Sequence, residues 1–381
     1  MGYRAGGWFA LVAAPAIDGV LKGFGEGRAK HHRGMTMTYY AGIDVSLESS
    51  SVCVVDATGK LVGEAKVASE PEALVAWFAA RPERMTGIGL EAGPLSQWLF
   101  GALEAAALPA VLLETRHVRA AFRTMPVKTD RKDAHGIAQL MRLGWFRPVH
   151  CKSLAAQETR ALLTARKLLQ AKRHDVEMSL RGVLRGFGLK VGPTTPKTFA
   201  ARVRALVKGH PTLETVAAAL LTARAALLDQ FKALERRLMA VGRADPRVRL
   251  LNTVPGVGAL VALTFTAAID DPGRFRSSRG VGAHFGLTPK RYQSGETDVT
   301  GRISKIGDHT VRVALYEAAN AMLTRPVKGS ALKDWALALA RRAGPKKAKV
   351  ALARKLAVVM HRMLSDGTCF ETRPGAAATP A

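Results

Sequence analysis

Two short runs, Gly42-Ile43-Asp44-Val45-Ser46 and Gly89-Leu90-Glu91-Ala92-Gly93, each set one carboxylate at the end of an apolar stretch. An unpaired charge in such a place is costly, so a carboxylate there asks for a reason. A third run, Lys128-Thr129-Asp130-Arg131-Lys132-Asp133-Ala134, opens a segment with apolar spacing at Ile137, Leu140 and Met141. That spacing predicts a helix over 130–143. Asp130 and Asp133, three apart, then share one face of it. Helix capping and pairing with the helix dipole would explain these two aspartates equally well on local grounds.

The surroundings place these runs in one α/β domain. Strands are expected at 39–45, 51–56 and 61–68, the last two joined by the turn Thr58-Gly59-Lys60. A helix over 71–80, a strand over 86–91, a helix over 95–107 and a strand over 110–113 follow. Three antiparallel strands leading into a parallel part is the expected layout. Carboxylates at the C-terminal ends of adjacent strands converge in such a sheet. Hard oxygen donors of this kind suit Mg²⁺ or Mn²⁺. A pair of such ions about 3.5–4 Å apart braces the attacking and leaving oxygens of a phosphoryl transfer.

The middle of the chain has another character. Stretches 154–184 and 212–241 are long, rich in Ala, Leu and Arg, and separated by Gly186, Gly188, Gly192, Pro193 and Pro196. They read as an antiparallel helical hairpin of coiled-coil type, either a spacer or dimerisation arm or a nucleic-acid-contacting one. Beyond it, Thr253-Val254-Pro255-Gly256-Val257-Gly258 precedes an apolar helix over 259–268. Glycines at a helix start admit a phosphate to the backbone N–H groups, as in helix-hairpin-helix modules; an ordinary turn before a core helix is the alternative. Gly286-Leu287-Thr288-Pro289-Lys290-Arg291-Tyr292-Gln293-Ser294-Gly295 and Gly301-Arg302-Ile303-Ser304-Lys305 read as basic, glycine-punctuated loops before a helix over 310–323. Ser294 and Ser304 are candidate nucleophiles for a phosphodiester, although loop hydroxyls and helix caps have the same look.

Charge separates the parts. The 381 residues carry a net +27. Residues 1–150 hold 17 Lys and Arg against 14 Asp and Glu, residues 151–250 hold 20 against 7, and residues 251–381 hold 20 against 9. The excess beyond residue 150 points to a polyanion, with nucleic acid first. Cys53, Cys151 and Cys369 are scattered without metal-ligand spacing, which fits a reducing cytosol rather than a disulfide framework. No apolar run reaches the ~18 residues of a membrane span, so no membrane is expected. Residues 1–38 read as a disordered extension, with Met35 and Met37 as alternative starts, and the Pro/Ala-rich tail after Thr372 reads as disordered.

Taken in order, Gly-Ile-Asp44-Val-Ser, Leu-Glu91-Ala-Gly, Lys-Thr-Asp130-Arg-Lys-Asp133-Ala, Val-Pro-Gly-Val-Gly, Gly-Leu-Thr-Pro, Gln-Ser294-Gly and Gly-Arg-Ile-Ser-Lys closely resemble the DEDD-type insertion-sequence transposases. These are relatives of the Piv-type DNA invertases. The resemblance runs from about Tyr39 to about Arg325. It implies an RNase H-like (RuvC-like) catalytic domain over 39–150, a coiled-coil hairpin over 151–248 and a mainly helical transposase domain over 249–330. C-terminal helices and the tail would occupy 331–381. It also implies that Asp44, Glu91, Asp130 and Asp133 bind divalent metal and that a serine, Ser294 with Ser304 as fallback, links covalently to DNA. A homodimer or homotetramer would act on donor and target DNA, guided by a structured bridge RNA, in a bacterial cytoplasm at the nucleoid. Two other readings stay open: a metal-dependent junction nuclease in which water attacks, and a nucleic-acid-binding derivative without catalysis.

Overall fold

The computed structural model describes residues 37–123 and 125–372. The expected extension, apart from Met37 and Thr38, and the Pro/Ala-rich tail lie outside the described residues. The chain divides into two units between His150 and Cys151.

The first unit is built on a five-stranded mixed sheet. Its strands are β1 (Tyr39–Val45), β2 (Ser49–Asp56), β3 (Leu61–Ala68), β4 (Met85–Glu91) and β5 (Ala110–Leu113), in the spatial order β3-β2-β1-β4-β5. β1–β2 and β2–β3 pair antiparallel, while β1–β4 and β4–β5 pair parallel. This is the expected α/β layout, three antiparallel strands leading into a parallel part. Helices α1 (Pro71–Ala79) and α2 (Ser96–Ala105) make the crossovers to β4 and β5. Ala41, Ile43, Val52, Val54, Ile88 and Leu90 are buried on one face and Cys53 and Val55 on the other, which suits strands covered on both faces.

Helix α3 (Thr115–Phe122) stands where no element was expected. It is only eight residues long, with Val118 buried and Ala121 and Phe122 packed beside it, too short a run for periodicity to stand out. Helix α4 (Asp130–Leu143) has the expected bounds. Thr129 caps it, its side chain accepting from the Lys132 amide, and Gly144 ends it at a positive φ of 63°.

The second unit opens with α5 (Leu154–Gly186), α6 (Phe199–Val207) and α7 (Pro211–Ala244). Ion pairs Arg166–Glu235 and Glu177–Arg224 fix α5 and α7 as antiparallel neighbours. At the far end Leu180 and Leu184 pack with Leu213, Ala217 and Leu221, and Phe199 and Val203 of α6 close that cluster. By length and composition α7 would pass as a membrane span, with a mean hydropathy of 1.2 over its most apolar window. No such run was expected from the sequence. Leucines and alanines together supply that hydropathy, and the same helix carries Arg224 and Glu235, both ion-paired to α5.

Next come α8 (Pro246–Leu251), α9 (Ala259–Ile269), α10 (Val281–His284), a hairpin of β6 (Pro289–Ser294) and β7 (Thr297–Ile303), α11 (His309–Thr324), α12 (Ala331–Ala343) and α13 (Pro345–Asp366). Helix α9 is apolar all round and buried from Ala262 to Ile269, as a central core helix should be. Leu263, Phe265, Phe285, Leu315, Leu352 and Leu356 share its core. The hairpin replaces the expected loops. Every residue of β6 is exposed, so no apolar alternation marked it as a strand.

Candidate active site

The carboxylates of the first unit meet because two strands lie side by side under one helix. Gly42 pairs with Gly89 in the parallel β1–β4 ladder, and Ile43 pairs with Leu90. Asp44 and Glu91 therefore leave the sheet together at adjacent strand ends. Side chains two apart in a strand share a face, so Asp44 faces the side of Gly42 and Glu91 the side of Gly89. Both glycines face α4. A Cβ at Gly42 would come within 2.2 Å of the Ala134 carbonyl oxygen, and one at Gly89 within 2.6 Å of Met141 Cγ. The bare backbone lets α4 settle onto the sheet and carries Asp133 to the strand ends. Arg131 ties the same helix to β3 through an ion pair with Glu64.

Asp44, Glu91 and Asp133 line one cavity of about 700 Å³, together with Thr115, Arg119 and Lys128. Asp130, the first residue of α4, is exposed and outside that lining, yet its charge still reaches Asp44. Burial first, and then repulsion from Asp133, Asp130 and Glu91, push the Asp44 carboxyl up to about 6. Burial also raises Glu91, against the opposing pull of Arg119 and Lys128. Asp133 is buried; its Oδ2 lies 3.5 Å from Lys128 Nζ, and its Oδ1 has no hydrogen-bond partner.

Crowded carboxylates with one orphaned buried oxygen are a place where a cation would relieve the imbalance of charge. Among the described residues, no three His, Cys, Asp or Glu side chains already stand as a ready metal-holding group. The donors nevertheless fit a hard divalent cation in kind: acidic oxygens, one of them unpartnered, with raised proton affinity at Asp44.

The two candidate serines occupy opposite ends of the hairpin in the second unit. Ser294 is exposed at the end of β6, opposite Thr297, where the two-residue turn Gly295-Glu296 reverses the chain. Gly295 takes a φ of 56°, which a tight hairpin turn requires at that position. Ser304 sits at the base of the hairpin, half-buried, its amide donating to the Thr288 carbonyl at 2.8 Å. The base is locked further by Gly286, where a Cβ would lie 2.2 Å from the Ile306 oxygen. The turn 252–258 joins α8 to α9. There Gly256, at a φ of 85°, serves close packing: its Cβ would stand 2.8 Å from the Ala318 carbonyl oxygen of α11. Space beside Gly258, which begins α9, is open.

Sequence reasoning missed Arg119, Thr115 and Lys128 as members of the cavity. Lys128 stands two residues before Asp130 in the same motif, and a cation beside paired acids was the available signal. Arg119 and Thr115 gave none, because α3 itself was not expected.

Comparison with known proteins gives a consistent set of likenesses. A family model described as the IS116/IS110/IS902 family of transposases matches residues 248–351, and a model of DEDD transposases of the IS110 type matches residues 41–188. The transposase for insertion sequence element IS1111A of Coxiella burnetii is 29% identical over 347 residues, 88% of this chain and 92% of its own. A probable family 20 transposase of Pseudomonas aeruginosa is 30% identical over 264 residues, 65% of this chain and 76% of its own. Among solved structures, Thermus thermophilus RuvC in complex with a Holliday junction substrate matches 30% of this chain and 99% of its own, at 18% identity and a TM-score of 0.23.

Proposed function

The chain belongs to the IS116/IS110/IS902 family of DEDD-type transposases, and from there we propose that it cuts and rejoins DNA strands with Asp44, Glu91, Asp130, Asp133 and a nucleophilic Ser294. The observation that carries this reading is the convergence of Asp44, Glu91 and Asp133 on one cavity, with Asp44 lifted to about 6 and Asp133 Oδ1 unpartnered. The four carboxylates would hold Mg²⁺ or Mn²⁺, which when bound supplies positive charge to polarise a scissile phosphate.

The chain's own groups do the rest. Arg119 and Lys128, beside the carboxylates, attract a DNA phosphate to the cavity mouth. Ser294 Oγ attacks phosphorus; a Ser–O–P bond forms as one P–O bond of the strand breaks. The serine proton passes to a base, and the departing strand oxygen takes one up. A hydroxyl of the second strand then attacks the phosphoserine, re-forming a phosphodiester and freeing Ser294. One ester is exchanged for another at each step, so no outside energy source is consumed. Ser294, at an exposed turn, suits this better than Ser304, whose backbone is tied down at the hairpin base. The reading includes a homodimer or homotetramer, donor and target DNA selected by a structured guide RNA, and action in the bacterial cytoplasm at the nucleoid. The large positive charge beyond residue 150 supports a grip on nucleic-acid backbones.

The test is covalent trapping. Protein, guide RNA, labelled donor and target DNA and Mg²⁺ are combined and resolved on a denaturing gel. An adduct lost in Ser294→Ala and Asp44→Ala but kept in Ser304→Ala is expected. Cleaved ends without adduct, persisting in Ser294→Ala, would instead establish attack by water.

A further inference from the structure

We propose that the groove between the β6–β7 hairpin and helices α12 and α13 binds one unpaired DNA strand. The groove has a volume of about 1620 Å³ and lies wholly within the second unit. Seven of its lining residues are Lys or Arg and none is Asp or Glu, so its natural occupant is a polyanion. Arg302 and Lys305 rim the hairpin side; Lys347, Arg354 and Lys355 rim the α13 side, and all five are exposed.

Between the two basic rims the floor is apolar. Ile303, Leu332, Trp335 and Val359 line it while leaning on the core beneath. A duplex stacks its base faces inside and would leave this floor uncovered. A single strand offers both things the groove asks for, phosphates for the rims and flat bases for the floor. Trp335 is half-buried, and Lys355 Nζ stands 3.8 Å from its ring centroid. The ammonium covers the indole face until a base takes its place, and the long exposed lysine then reaches a phosphate.

The choice of DNA rests on the strand-cutting function proposed for this chain. The hairpin that forms one wall of the groove also carries Ser294 at its tip. A strand parted from its complement for exchange has unpaired bases close to that tip, and the groove would hold them.

The experiment measures equilibrium binding with the full chain carrying Ser294→Ala in buffer with EDTA, so that neither serine nor water cuts the strand. A labelled 12-nucleotide single-stranded DNA is titrated by fluorescence anisotropy beside its duplex and the RNA of the same sequence. Trp335→Leu keeps the apolar floor and removes the aromatic face. It is expected to weaken the single strand by about tenfold, the worth of one stacked base, and to leave the duplex unchanged. Arg302→Ala with Lys347→Ala alters only exposed side chains and so bypasses any folding defect of the Trp335 variant. It is expected to flatten the plot of log affinity against log salt by about 0.7 for each phosphate that is no longer neutralised. A 5-bromodeoxyuridine strand should photocrosslink to a peptide of α12 or α13. Unchanged affinity and salt slope in both variants would overturn the proposal, as would equal losses for duplex, or tighter groove-dependent binding of the RNA. Adduct formation in the trapping assay is a separate readout. If binding persists while no adduct forms, the serine chemistry falls and the groove stands; if adducts form without single-strand binding, the reverse holds.

Discussion

Gly42 lies so close beneath α4 that a Cβ on it would stand 2.2 Å from the Ala134 carbonyl oxygen and 2.4 Å from the Ala138 amide nitrogen. Both are backbone atoms of a helix packed on the sheet, so neither can swing aside. The carboxylates two residues beyond Gly42 and one residue before Ala134 are Asp44 and Asp133, and their meeting depends on this closeness. Gly42→Ala is therefore expected to cost about 1–3 kcal/mol through overpacking and to abolish DNA cleavage. Gly101→Ala, in α2 where an added Cβ meets nothing within 4 Å, is the control. It should gain up to about 1 kcal/mol from helix propensity. Urea denaturation of the two variants checks the contrast; equal stabilities would show that α4 can lift off the sheet freely.

Asp44 makes the unliganded protein sensitive to pH. Its carboxyl stands near 6 when folded and near 3.8 in the open chain. Below about 3.8 both states carry the proton and the group is neutral to stability. As pH rises through 6 the folded protein must bear a charge that burial and Asp133 oppose, so the stability cost is complete above 6. Asp44→Asn should melt higher than wild type at pH 7.5 and match it at pH 4. Added Mg²⁺ at pH 7.5 should raise the melting temperature of wild type and do so less in Asp44→Asn, by the linkage of ligand to the folded state. Scanning fluorimetry with and without Mg²⁺ at both pH values reads all of this. Identical Mg²⁺ responses in the two proteins would place the cation elsewhere.

Asp308 behaves in the opposite sense. It caps α11 through the amides of Thr310 at 2.8 Å and Val311 at 3.2 Å, and it holds Arg160 of α5 at 2.7 Å. Burial alone would raise its carboxyl, but the Arg160 charge and hydrogen bond and the two amides hold it below the ordinary 3.8. The stability it contributes is present above about 3.8 and is lost as pH falls through the lowered folded value. Asp308→Ala is expected to cost about 1–2 kcal/mol at pH 7 through the lost cap, with Asp308→Asn costing less because an amide oxygen still caps. Urea midpoints at pH 7 and pH 3 should show the gap between wild type and Asp308→Ala closing in acid.

Where the chain advertises periodicity, reading and structure agree. The α/β layout of the first unit, the bounds of α4 and the pairing of two long helices all follow from spacing and breakers. The hairpin that bears Ser294 escaped, because strands exposed on both faces carry no apolar alternation. Helix α3 escaped because its apolar positions, Val118, Ala121 and Phe122, span little more than one turn, and with it went Arg119 and Thr115. Of the candidate site, the four carboxylates were legible as candidates, and three of them, Asp44, Glu91 and Asp133, share the cavity. Their unequal standing was not: Asp133 is buried and half unpartnered, Asp44 and Glu91 are half-buried and raised, and Asp130 is exposed.

The order of residues alone dictated which strands end in acids, where α4 and the two long helices start and stop, and how charge is shared between the two halves. Those are local properties, set by side-chain period, capping and formal charge over a few neighbouring positions. Folding decided the rest. Gly42 and Gly89 acquired meaning once α4 lay upon them, and Asp44 acquired its raised proton affinity once burial and Asp133 surrounded it. The basic groove took shape only when a hairpin and two helices distant in sequence came together. Proximity, desolvation and shared cavities are relations between residues far apart in the chain, and they exist only after the chain has packed.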